Sequence, residues 1–279
     1  RHGDNVITPP KDDSAWRLLA EKFRDPIIRI LLLAAVLSLA IGFVHKDFTE
    51  SIGIICAMKI EADAIRSTIK APETELISGV EFTHGTIHGK EVVLAVCGIG
   101  KVFAAICAEA MLLRYKPTLL INSGVAGTLT PALSIGDIAV ADALVQHDMD
   151  TSPLGDPVGM VSGINKIYFE ANEAAVDGLC AAAARIGAKT LRGTIASGDR
   201  FLADPAEKRR IAETFGAVAC EMEGAAVAQV AFVNHTPCAV LRAISDSASG
   251  DAQMEYAEFC KLAAARSHAI LDEFIKTLI

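Results

Sequence analysis

Three acidic side chains, Glu61, Glu223 and Asp246, stand where apolar runs give way to small residues or a helix start. Glu61 closes I-G-I-I-C-A-M-K-I-E, one turn after Met58. Glu223 lies in C-E-M-E-G-A, separated from Glu221 by Met222, and Asp246 follows the run Cys238–Ser245 in R-A-I-S-D. Each has a plain alternative: Glu61 is a first-turn acid favoured by the helix dipole, and Asp246 is a helix cap. Gathered in one crevice, the same acids have a chemistry. Desolvation raises the pKa of one carboxyl group while its neighbours stay ionised, which supplies a proton donor and a base at neutral pH.

Two glycine-bearing turns and a third small motif accompany the acids. In C-G-I-G-K, Cys97 to Lys101, Gly98 and Gly100 let the backbone approach a ligand at a helix N-terminus. In I-N-S-G-V-A-G-T, Ile121 to Thr128, small residues leave room beside a bound ring. A-S-G-D-R-F precedes the acidic pair by about twenty residues. Either turn also suits a loop that merely needs positive φ.

The elements that must position these residues follow from the texture after Glu50, where short apolar runs alternate with helical patterns, the mark of an α/β domain. Strands are expected at Ile52–Met58, Val80–His88, Glu91–Cys97, Thr118–Asn122, Asp137–Ala143, Lys189–Ala196 and Cys238–Ser245. Helices are expected at Glu61–Ile69, Val102–Tyr115, Glu173–Ile186, Pro205–Phe215, Gly224–Asn234 and Met254–Leu278. Open α/β sheets bind ligands beyond strand ends, where the motifs lie. A turn at His88-Gly-Lys90 makes Val80–Cys97 a hairpin.

The net charge of −8 and the absence of a basic stripe interleaved with aromatics exclude a nucleic-acid partner. Seven cysteines, with no C-x-x-C pair and no zinc-ligand spacing, point to neither disulfides nor metal, and to a reducing, cytoplasmic setting.

Taken in order, I-G-I-I-x-A-M-x-x-E, C-G-I-G-K-V, the stretch Gly136 to Asp142, S-G-D-x-F, E-M-E and L-R-A-I-S-D resemble the bacterial 5'-methylthioadenosine/S-adenosylhomocysteine nucleosidases of the purine nucleoside phosphorylase superfamily. The resemblance covers residues 51–279. It implies a nucleoside phosphorylase-like α/β fold, a mixed central sheet flanked by helices, a small-molecule nucleoside substrate, no cofactor and a homodimer. It further implies that Glu61 activates water, Asp246 protonates adenine N7, and Glu223 binds the ribose hydroxyls and offsets positive charge on the sugar. Phe201 would stack on adenine and the Leu202 backbone read its edge. Met58, Ile99 and Met222 would wall the ribose and 5'-thioether, with Ser245 and Ser197 as supports. Departures from the pattern are Cys56 for a common glycine, Val125 for a common serine, and Lys59-Ile60 for acidic residues. The stretch after His147 aligns loosely, and no contact is carried onto Leu154.

Phosphorolysis is the nearest rival, but no arginine lies beside Glu61, in Cys97–Lys101 or in Ser123–Thr128 to neutralise a phosphate. A futalosine-type nucleosidase would use the same acids. From another class, a membrane-anchored nucleoside-binding module would have little use for Asp246.

The first fifty residues form a second piece. G-D-N-V-I-T-P-P-K, Trp16 and F-R-D-P-I-I-R-I-L-L-L-A-A-V-L-S resemble the N-terminus and first membrane helix of P-type cation-transporting ATPases. No D-K-T-G motif is present, so the chain forms no aspartyl-phosphate. Residues 26–44 are an apolar helical segment near bilayer length and a candidate membrane contact, with a packed amphipathic helix as the alternative. Basic residues concentrate ahead of this run, which would leave the N-terminus inside and export the enzyme, against the setting of its substrates.

Overall fold

The computed structural model describes residues 51–246 and 256–278, together with Pro26 and Ile28. The chain divides between Phe48 and Thr49, and the unit Thr49–Ile279 is the subject below. The expected membrane segment 26–44 lies outside the described residues apart from those two positions. Among the described residues no helix is long and apolar enough to cross a membrane.

The order is β1 (Ser51–Cys56), α1 (Lys59–Thr68), β2 (Lys70–Ile77), β3 (Val80–Ile87), β4 (Lys90–Val96), α2 (Lys101–Tyr115), β5 (Leu119–Thr128), β6 (Ile138–Gln146), a 3-10 turn (Ser152–Leu154), β7 (Tyr168–Glu170), α3 (Glu173–Arg185), β8 (Thr190–Ser197), α4 (Pro205–Phe215), β9 (Ala217–Glu221), α5 (Gly224–Val233), β10 (Cys238–Asp246) and α6 (Tyr256–Thr277). The sheet is mixed, as expected. β1 runs parallel between β4 and β5, and β10 is parallel to β5 and antiparallel to β6. β6 continues through β8 to β9, which returns antiparallel to β5. The strands β5, β10, β6, β8 and β9 therefore close a ring, from which β1, β4, β3 and β2 extend as a wing.

Helix α2 packs against α5, while α6 packs against α1 and α3. The apolar runs of β1 and β10 are buried almost throughout. Strands sandwiched in this way read as continuous apolar sequence rather than alternation, which is why both were recognisable.

Several boundaries differ from expectation. β2 was not anticipated, because K-A-P-E-T-E-L-I lacks an apolar alternation; it is an exposed edge strand whose charges and proline suit an edge. The three-residue β7 was likewise missed, and β9 was only an apolar stretch in the sequence. β5 does not stop at Asn122 but runs through S-G-V-A-G-T to Thr128, and β6 runs on to Gln146. The loop expected at Ser123–Thr128 is thus strand. The β3–β4 turn falls at His88 and Gly89, both at positive φ, as a tight hairpin requires. The start of α6 before Tyr256 lies outside the described residues.

Candidate active site

A pocket opens where β1, β4, β5, β8, β9 and β10 end. Met58, Glu61, Ile99, Val125, Phe201, Met222, Glu223, Ser245 and Asp246 all line it. Leu202 joins Phe201, Met222 and Asp246 around an adjoining recess. The structure therefore gathers the three acids with Met58, Ile99, Phe201, Leu202, Met222 and Ser245, and buries Ser197 behind them.

Glu61 sits in the first turn of α1 with its carboxylate folded back on the backbone. Oε2 accepts from the Ala57 and Met58 amides at 3.0 and 2.9 Å, and Oε1 accepts from the Val125 amide at 3.1 Å. Val125 thus supplies through its backbone a polar contact that its side chain cannot. Burial raises the pKa of Glu61 against the pull of Arg242 and these amides, which makes it a stronger base than an exposed glutamate.

The small residues of β5 make room, but for the protein's own side chains. A Cβ on Gly124 would stand 2.8 Å from Glu61 Oε1 and 2.9 Å from Arg242 Nη1. One on Gly127 would stand 2.8 Å from Asp246 Oδ2. The glycines that looked like space for a ring let two carboxyl groups and a guanidinium lie flat on a strand.

Glu223 is the N-cap residue of α5, and its Oε1 accepts from the Gly100 amide at 2.8 Å. The C-G-I-G-K turn, with Gly98 and Gly100 at φ +93° and +104°, accordingly holds a catalytic candidate while presenting Ile99 to the pocket. Lys101 secures the turn: its amide donates to Asp199 at 2.7 Å, and Nζ reaches Asp148 at 2.5 Å and Gln146 at 3.1 Å. Burial, followed by the charge of Glu221, pushes the Glu223 pKa up to about 7.

Sequence reasoning missed two cations. Arg242, in the middle of β10, is fully buried and bonds Glu221 and Asn122, with Glu223 Oε2 at 3.8 Å. Burial opposes the charge of Glu221, but Arg242, the Ser197 hydroxyl and the Glu223 and Gly224 amides outweigh it and hold its pKa below the ordinary value. The fold thus brings an arginine near Glu61 that local sequence did not place there, and its charge is met by carboxylates. The second cation is Lys208, whose Nζ lies 2.7 Å from Asp246 Oδ2. A charged residue inside the apolar run C-A-V-L-R-A-I was the available signal for Arg242, since such a group is buried only with partners.

Known proteins share this fold. The profile of the Phosphorylase superfamily matches residues 51–276, and that of the Cation transporter/ATPase N-terminus matches residues 1–38. A 5'-methylthioadenosine/S-adenosylhomocysteine nucleosidase of Bacillus licheniformis is 37% identical over 229 residues, 81% of this chain and 99% of the relative. The crystal structure of the Neisseria meningitidis nucleosidase of that name, in complex with methylthio-immucillin-A, superposes with a TM-score of 0.79 at 32% identity, covering 82% of this chain and all of the other. The futalosine hydrolase of Helicobacter pylori gives a TM-score of 0.79 at 34% identity over 82% of this chain and 99% of its own. By matched span, identity and fold, the chain belongs to the phosphorylase superfamily and, within it, to the 5'-methylthioadenosine/S-adenosylhomocysteine nucleosidases.

Proposed function

We propose that the pocket hydrolyses the N-glycosidic bond of 5'-methylthioadenosine and S-adenosylhomocysteine, with Glu61, Glu223 and Asp246 in separate roles. The observation that carries this reading is that the three acids, delivered by three distant segments, line one pocket with Phe201 and Leu202 beside Asp246. The purine stacks on Phe201 with its N7 towards Asp246, which gives up a proton so that adenine leaves neutral. As the bond lengthens, positive charge grows on the ribose, and the Glu223 carboxylate offsets it while accepting from the sugar hydroxyls. Glu61 orients water and takes its proton as the new C–O bond forms. Met58, Ile99 and Met222 furnish apolar walls for the 5'-thioether. A homodimer working in the cytoplasm, where such substrates arise, completes the reading.

The test is adenine release from 5'-methylthioadenosine by the full chain in phosphate-free buffer, beside an Asp246→Asn variant. Release without phosphate, slowed in the variant by about 10²–10⁴-fold, is the expected result. Release only on adding phosphate would make the reaction phosphorolysis. Turnover of futalosine but not of 5'-methylthioadenosine would move the chain to the activity named for its Helicobacter pylori neighbour.

A further inference from the structure

Helix α4 turns inward through Lys208, Ile211 and Phe215, the i, i+3, i+7 spacing of a core stripe. Two of these positions are apolar, and the third is a lysine only 3% exposed. An ammonium is costly to bury and persists where a counter-charge meets it. Lys208 Nζ meets Oδ2 of Asp246, itself 6% exposed, at 2.7 Å. The same carboxyl group lies against Gly127, and its Oδ1 accepts from the Ser245 hydroxyl at 3.3 Å. Lysine, glycine and serine together fix the carboxyl plane, with Oδ2 turned to the lysine and Oδ1 to the serine.

We propose that Lys208 is a positioning residue for the leaving-group proton: its ammonium orients the Asp246 carboxyl group and offsets the negative charge left there when the proton passes to the departing base. The inference rests on the proposed function, in which Asp246 is the acid. In that step the bond between C1' and N9 breaks with its electron pair moving onto the purine. The proton goes from Asp246 to N7, and water forms the new bond to C1' while its proton passes to Glu61. The carboxylate that meets the ammonium in the free site takes up a proton from solvent as the substrate binds, and handing that proton to N7 restores the ion pair, so the Lys208 interaction strengthens as the bond breaks, which is the condition for lowering a barrier.

The experiment uses the full chain and two substrates: 5'-methylthioadenosine, whose base needs a proton to leave, and the p-nitrophenyl riboside of 5-methylthioribose, whose phenolate leaves unprotonated. Lys208→Met is expected to lower kcat on the nucleoside by about 10²-fold and to leave the p-nitrophenyl reaction unchanged, with Lys208→Arg restoring most of the loss. Lys208→Gln serves as a second uncharged variant. Equal slowing of both substrates, or no slowing of either, overturns the proposal, as does loss of the folded protein in both uncharged variants, which would make the lysine structural. Asp246→Asn separates the two levels. If it fails to discriminate the substrates, the acid assignment itself falls; if it discriminates and Lys208→Met does not, only the role of the lysine falls.

Discussion

Glu223 is a side chain whose charge the site tolerates poorly, since burial and the neighbouring Glu221 push its pKa up to about 7. Glu61 is raised as well, chiefly by burial. Both must be ionised to do what is proposed for them. The expected kcat/KM profile therefore declines as pH falls through about 7, well above the range of ordinary carboxylates; a profile flat down to the usual glutamate range would remove Glu223 from its role. Stability follows the opposite sign. The folded state holds the Glu223 proton more tightly than the unfolded chain, so this group subtracts stability as pH rises from 4.5 through about 7. Glu223→Gln removes that penalty, and its melting temperature is expected to exceed that of the unmodified protein on the alkaline side of this window but not on the acidic side. Residues of this kind were legible because an acid at the end of an apolar run stands out. Arg242 and Lys208 were not read, since what makes each tolerable is a partner 21 and 38 positions away in the chain, a relation that only the sheet creates.

Among the elements, the segment after β8 is seated by contact rather than by hydrogen bonding alone. Gly198 lies directly over the ring of His147, whose Nε2 is buried without a hydrogen-bond partner among the described residues. A Cβ at position 198 would overlap that nitrogen and come to 2.5 Å from Cε1. Gly198→Ala is expected to destabilise the fold by about 1–3 kcal/mol and to raise KM, because Phe201 and Leu202 ride on the displaced segment. Thermal unfolding and steady-state kinetics check the two effects, and an unchanged KM would mean that the segment does not depend on this seat. The same scale shows where sequence patterning failed. β1 and β10 declare themselves by unbroken apolar runs, whereas β5 changes from bulky to small residues at Ser123 without ceasing to be a strand. That change is imposed by the side chains laid against it, Glu61, Arg242 and Asp246, which no local propensity contains.

At the scale of the whole molecule, α2 leaves large apolar side chains uncovered beside the pocket, among them Val102 at 69% and Phe103 at 56% exposure, with Ile106 and Leu113 further along. Exposed apolar side chains grouped on one helix are characteristic of an interface, and this is the face we propose to pair in a homodimer. Phe103→Asp is expected to shift the protein towards monomer in sedimentation; a dimer of undiminished stability would place the interface elsewhere. The class of fold was legible from the alternation of elements, but the closure of the strands was not, because it depends on β10 pairing with both β5 and β6. That closure has a consequence in time. The ring strand made last carries Asp246 and Arg242, so during synthesis the ring cannot shut until residue 246 has emerged. Early strands must wait with unsatisfied edges, and the long separations between partners make this assembly slow relative to local helix formation. Recovery of catalysis during refolding should therefore trail the recovery of helical signal, reporting the arrival of the final stave rather than the collapse of the chain.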